Sequence, residues 1–279
     1  MSGRKTCWGG STAELRFLRH LSQKTGLGLN FLCKEEKISV LLRQLSEVFE
    51  ENVVLKGGTP ISRIYLSKIG KARFSEDLDF DFISKDSFKE KIGILCKIME
   101  KTSGFDVQRP RIQYRTVRFD CYFVNELGSK DRVMVDFNVG NECVSRGEDP
   151  KMTLVEPVFV PSVSANLRVY SLEDIVTRKF GALNGRQEGK DIYDTFYLLD
   201  IKPDTAKLLK SISAMLIHDK IDKMPDEFVK DLAVSVEKMS AVSRNIGKAT
   251  NHYIPTNLRP TWNEFIPTLS EKVKTCLGK

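Results

Sequence analysis

Asp77, Asp79 and Asp81 alternate with Leu78, Phe80 and Phe82. A strand over 77–82 therefore puts three carboxylates on one face and three apolar side chains on the other. Carboxylates that close repel one another and need a counter-charge. Mg²⁺ or Mn²⁺, held by one or two carboxylates and by substrate phosphates, supplies it. In two-metal phosphoryl transfer such ions activate the attacking oxygen and stabilise the leaving one. The plain alternative is an edge strand whose charge guards against aggregation. Upstream, an apolar run ends in Gly57-Gly58-Thr59, and a glycine turn can hold phosphate oxygens on its backbone N–H groups. Turn and strand together point to chemistry on a nucleotide.

Three further positions extend this pattern. Asp136 lies in Val133-Met134-Val135-Asp136-Phe137-Asn138-Val139. Its apolar neighbours at 133, 135, 137 and 139 face one way and Asp136 the other, as a third carboxylate for metal or for a proton from an attacking hydroxyl. An ordinary polar-face residue is the competing reading. Lys179 follows Leu172, Ile175 and Val176 on a helical pattern and falls about 20° from Leu172, inside the apolar stripe, with Arg186 on the same side. A cation there needs an anion or a wet cleft, unless it snorkels from the edge of a packed face. Asp191 and Asp194 open the next helix, where acidic residues also belong as first-turn charges or caps.

Other motifs fail. Gly70-Lys71 is no phosphate-binding P-loop, because Tyr65 holds the first-glycine position and Ala72 replaces Ser/Thr. The six cysteines (7, 33, 96, 121, 143 and 276) form no close pair, and His20, His218 and His252 have no partner pattern, which argues against zinc.

The elements that must position these residues read as follows. Ser11-x-x-Glu14 is a capping-box pattern ahead of a helix near 12–24, and residues 33–51 read as a second helix. Val53 to Leu55 is a short buried strand. Thr59 and Pro60 read as N-cap and first position of a helix to about Ser67. A helix over 86–102 and strands over 112–124 and 132–139 complete a small mixed sheet. Pro157, Pro161 and the serines near 162–164 mark a boundary, dividing the chain into a core over 1–165 and a helical domain over 166–279. Helices are expected over 171–184, 191–200, 204–217, about 225–243 and 262–276, with a loop over 247–260. The fold class is α/β (α+β).

Lys plus Arg number 44 against 37 for Asp plus Glu, a net of +7 over 279 residues. This basic excess favours a nucleic-acid partner, although it also describes a merely soluble cationic surface. No apolar run is long enough to span a bilayer and no secretory leader is visible, so a cytoplasmic location is expected.

Lys56-Gly57-Gly58-Thr59, followed by Arg73-Phe74-Ser75-Glu76-Asp77-Leu78-Asp79-Phe80, resembles the AbiEii/AbiGii toxin family of the DNA polymerase beta-like nucleotidyltransferases. Lys179, Arg186 and the run from Lys190 to Leu199 look like its downstream motifs, so the likeness covers roughly 35–200. It implies metal-dependent transfer of NMP from an NTP. By position, Lys56, Gly57, Gly58, Thr59, Arg73, Ser75, Lys179 and Arg186 would bind the nucleotide, and Asp77, Asp79 and Asp136 the metal. Lys179, Asp191 and Asp194 would complete the catalytic set. The resemblance further implies a 3′ tRNA end as acceptor and a cognate antitoxin, with a protein or small-molecule acceptor, or an inactive RNA-binding relative, as alternatives. Two departures stand out: the Thr59–Asp77 interval is longer than the family's, and Asp81 is an extra acid.

Overall fold

The alternating Asp77–Phe82 segment is a central strand of an eight-stranded mixed sheet. The structure, a computed structural model, describes residues 12–49, 51–140, 147–186 and 188–278. Ser11, the first member of the expected capping box, lies outside them, as do Cys7 and Cys143. Helices α1 (Thr12–Thr25) and α2 (Leu29–Ser46) come first, then β1 (Val53–Lys56), α3 (Gly58–Pro60) continued by a π-helical turn over Ile61–Leu66, β2 (Asp77–Phe82) and α4 (Phe88–Met99). Strands β3 (Asp106–Val107), β4 (Arg111–Gln113), β5 (Thr116–Val124), β6 (Lys130–Asn138), β7 (Lys151–Val155) and β8 (Ala165–Val169) follow. Helices α5 (Leu172–Gly185), α6 (Gly189–Asp200), α7 (Thr205–His218), α8 (Pro225–Lys238), α9 (Ser243–Thr250) and α10 (Trp262–Thr275) end the chain. Among the described residues no helix is long and apolar enough to cross a membrane.

The strand order is β3-β5-β6-β2-β1-β8-β7, with β4 on β5. β2 pairs antiparallel with β1 and parallel with β6, so it is no edge strand and its acids have another purpose than guarding an edge. Its even-numbered side chains are buried: Leu78 and Phe80 are 0% exposed and Phe82 1%. Phe80 stacks on Phe137 at 5.2 Å, and Phe49 meets both edge-on. Helix α2 packs Ile38, Leu41, Leu42 and Leu45 into the same core. Each such burial stabilises the fold by about 1.5–3 kcal/mol, and together these contacts pin the register that leaves the aspartates on the opposite face.

Several elements differ from the sequence expectations, each for a local reason. The expected strand over 112–124 is a hairpin of β4 and β5, in register Gln113↔Thr116, turning at Tyr114 and Arg115 without a glycine to announce it. Pro110, which has no N–H, separates β3 from β4 along the same edge of β5. The expected loop over 247–260 begins as helix α9. Gly247, a breaker by composition, is there for close packing: a Cβ would lie 2.6 Å from Trp262 Cδ1. The second helix spans 29–46 rather than 33–51. The stretch over 157–164 connects β7 to β8, and β8 pairs in parallel with β1, so the sheet continues through Val169.

The C-terminal helices pack on one another through Phe196, Tyr193 and Phe265, with Phe196 and Phe265 stacked at 3.8 Å. The turn after α9 then returns to the sheet: Phe74 N–H donates to Tyr253 O at 2.8 Å, and Phe31 stacks on both rings.

Candidate active site

One cleft gathers Gly57, Gly58, Ser75, Asp77, Asp79 and Asp136 from the sheet side against Lys179, Arg186 and Asp191 from α5 and α6. The glycine turn is shaped by contact. Gly57 has φ +76°, and a Cβ there would collide with the Asp79 carboxylate. A Cβ on Gly58 would lie 2.7 Å from Ser75 Oγ and 2.9 Å from Arg73 Nη2. Both positions need glycine so that backbone, rather than side chain, borders the acids. Thr59 was expected as an N-cap. Instead it is fully buried, and its Oγ1 donates to Asp77 O at 2.8 Å, tying the turn to the strand. The helical run starts two residues earlier than expected, at Gly58 with Gly57 as N-cap.

Asp77, Asp79 and Asp81 share a face but not a fate. Asp81 is 2% exposed and takes Lys56 Nζ at 2.6 Å, Arg178 at 2.8 Å and the Tyr170 hydroxyl at 2.6 Å. Burial pushes its carboxyl up, but Arg178 and Lys56 outweigh that and hold it below the usual range. The extra acid is thus a buried anchor for β1, β8 and α5, and Lys56 is spent on it. Asp136 stands opposite Asp79 in the β2–β6 register, and Arg118 binds its two oxygens at 2.6 and 2.5 Å. That pairing raises the Arg118 guanidinium, chiefly through the hydrogen bond.

Asp77 and Asp79 differ: among the described residues no cation lies within ion-pair distance of them, while Asp136 holds one and Asp81, Asp191 and Asp194 hold two each. Burial, then the neighbouring Glu76 and Asp79, pushes the Asp77 carboxyl up to about 7. Burial also raises Asp79, with Asp136 adding to it against Lys56 and Lys179. Two desolvated, unpaired carboxylates are a donor set that fits a hard divalent cation. Among the described residues no three His, Cys, Asp or Glu side chains converge as a self-sufficient metal cluster, so further ligands would come from substrate oxygens.

The apolar stripe of α5 does carry Lys179 inward, at 8% exposure. Its anion comes from the chain: Nζ meets Asp191 at 2.7 Å and Asp194 at 2.8 Å. Arg186 Nε donates to Asp191 Oδ2 at 2.9 Å. Asp191 is therefore neither a cap nor a solvated first-turn acid. Burial pushes its carboxyl up, yet Lys179 and Arg186 together hold it below the usual range. Asp194 lies behind the cleft, gripped by Arg73 at 2.7 and 2.6 Å. Arg73 touches the cleft wall, but donates to Asp194 and to Phe74 O. The cleft thus presents Lys179 and Arg186, locked in place, opposite Asp77 and Asp79.

Sequence reasoning missed Glu76, Arg118, Glu188, Lys190 and Tyr253 as cleft residues. Tyr253 donates to Glu76 at 2.7 Å, and Lys190 lies over its ring at 4.8 Å. For Arg118 the alternation in β5 was a usable signal. Tyr253 had none, since it arrives from a turn far along the chain.

A family model for the nucleotidyl transferase AbiEii toxin of type IV toxin–antitoxin systems matches residues 40–275. It thereby includes the C-terminal helices. No curated protein matches the chain. Among solved structures, MenT4, a nucleotidyltransferase toxin of Mycobacterium tuberculosis H37Rv, superposes with a TM-score of 0.56 at 15% identity, over 92% of this chain and 89% of its own. JHP933 from Helicobacter pylori gives 0.52 at 16%, over 90% and 94%. A candidate nucleotidyltransferase of H. pylori gives 0.59 at 17%, over 90% and 97%. These likenesses concern the fold, a mixed α/β nucleotidyltransferase architecture.

Proposed function

The chain belongs to the AbiEii family of nucleotidyltransferase toxins, and on that premise we propose that it moves NMP from an NTP to the 3′ end of a tRNA with the help of Mg²⁺ or Mn²⁺. The observation that carries this reading is the pair of uncompensated carboxylates, Asp77 and Asp79, beside a glycine turn and across from two fixed cations.

Each residue has a task in that reaction. Gly57 and Gly58 offer backbone N–H groups to the phosphates, and Ser75 adds a hydroxyl. Lys179 and Arg186, pre-oriented by Asp191, bind the negative charge of the triphosphate without having to reorganise. Asp77 and Asp79 would hold the metal, with Asp136 beside them, oriented by Arg118, as a third carboxylate for the proton of the acceptor hydroxyl. When bound there, the metal would supply Lewis-acid chemistry, lowering the pKa of the attacking hydroxyl and neutralising charge on the leaving pyrophosphate. The acceptor oxygen forms its bond to the α-phosphorus as the bond to the pyrophosphate oxygen breaks. Asp194, Arg73 and Thr59 act behind the cleft by holding its walls. The family also implies a cognate antitoxin.

Incubation with each labelled NTP and total tRNA tests the proposal. Label should enter RNA with release of pyrophosphate. Label on protein alone, or on no acceptor, overturns the RNA reading.

A further inference from the structure

One row of side chains crosses five strands in register: Lys56 opposite Asp79, Asp79 opposite Asp136, Asp136 opposite Arg118, and Arg118 opposite Arg111. Residues in register share a face, and neighbouring strands lie about 4.8 Å apart. Arg111 is thus three strand intervals, about 14 Å, from Asp79 on the same surface. The charge along this row changes from acidic in the cleft to cationic outside it. Beside it, the buried Asp120 carboxylate holds Arg111 at 2.7 Å and Arg132 at 3.1 Å, two guanidiniums on one acid.

The row ends on the β4–β5 hairpin. No acidic residue occurs from Val107 to Phe119, whereas Arg109, Arg111, Arg115 and Arg118 do. Arg109 and Arg115 are exposed, and Tyr114 at the turn is 84% exposed. Tyr114 also has φ +53°, a left-handed conformation that glycine adopts without strain and a tyrosine does not. Neither turn geometry nor core packing explains a tyrosine there. Arg115 lies over its ring at 5.1 Å. Arginines for phosphates next to an exposed aromatic for stacking bases are the means by which proteins hold single-stranded nucleic acid.

We infer that this hairpin and the cationic row form the track along which the single-stranded end of the RNA acceptor reaches the cleft. The inference rests on RNA being the acceptor, as proposed above. Phosphates follow Arg109, Arg115 and Arg111, a base stacks on Tyr114, and the terminal hydroxyl arrives past Arg118 at Asp136 and Asp79.

The test uses the full chain, a fluorescein-labelled single-stranded RNA dodecamer with a free 3′-hydroxyl, and labelling of total tRNA. Tyr114→Gly relieves the turn, so its melting temperature should hold or rise, while its RNA affinity falls about tenfold. An Arg109→Ser/Arg115→Ser double variant should weaken RNA binding and flatten the slope of log affinity against log salt by about 1.4. Both should bind NTP like the wild type. If the wild type binds and labels RNA but the variants match it, the track is wrong and the acceptor reading stands; the hairpin then serves another partner, such as a protein. If the wild type neither binds nor labels RNA, the acceptor reading fails and the track with it.

Discussion

Arg73 and Asp194, 121 positions apart, are joined by two hydrogen bonds of 2.7 and 2.6 Å with both side chains buried. The pair ties the segment before β2 to α6, and Lys179 shares the carboxylate. Removing one member of such a pair strands a buried charge. Asp194→Ala should therefore cost about 3–5 kcal/mol in urea unfolding. A loss below about 1 kcal/mol would mean that the pair does not hold the two halves of the cleft together.

Asp77 and Asp79 should behave in the opposite way. Asp77→Asn or Asp79→Asn removes a desolvated charge, so stability in chelator stays level or rises. Nucleotide transfer should drop at least about a hundredfold. Mg²⁺ should raise the melting temperature of the wild type, and do so much less in either variant. Calorimetry alongside the labelling assay reads both effects.

Gly57 and Gly70 make a matched comparison. Both have positive φ, +76° and +66°, so alanine at either costs roughly 1–2 kcal/mol of strain. Around Gly70 nothing lies within 4 Å, whereas a Cβ on Gly57 collides with Asp79. Gly70→Ala should keep full activity at a modest loss of stability. Gly57→Ala should lose activity as well, and equal kinetics for the two would sink the role given to the turn.

Asp191 supplies a pH dependence. Its folded carboxyl sits below the usual 3.8 because Lys179 and Arg186 outweigh burial. A depressed acid contributes stability that is present above the unfolded pKa and lost as pH falls through the folded one. Wild type should thus destabilise more steeply below about pH 4 than Asp191→Asn. Urea midpoints across that range, taken in chelator, should converge for the two proteins as the pH is lowered.

The alternation of β2, the inward Lys179 and the opening of α5 at Ser171 were legible, because each is a local pattern with one periodicity. Pairing was not. Nothing in the sequence says that Arg118 takes Asp136, that Asp81 takes Lys56 and Arg178, or that Asp194 turns away from the cleft toward Arg73. Those outcomes depend on strand register and on helices packed from elsewhere. Tyr114 and Gly247 misled for a shared reason: residue type usually reports the turn, but here a tyrosine makes one and a glycine sits inside a helix.

Tyr253 completes the cleft from a turn that follows the acidic strand and both α5 and α6 in the chain, and α10 packs on α8 and α6. A ribosome delivers the acidic strand first, the cationic wall of α5 and α6 later, and Tyr253 later still. Until then the nascent chain carries its aspartates beside an unfinished wall. By this order of synthesis the acidic strand faces its full cleft only once the chain past Tyr253 has been made.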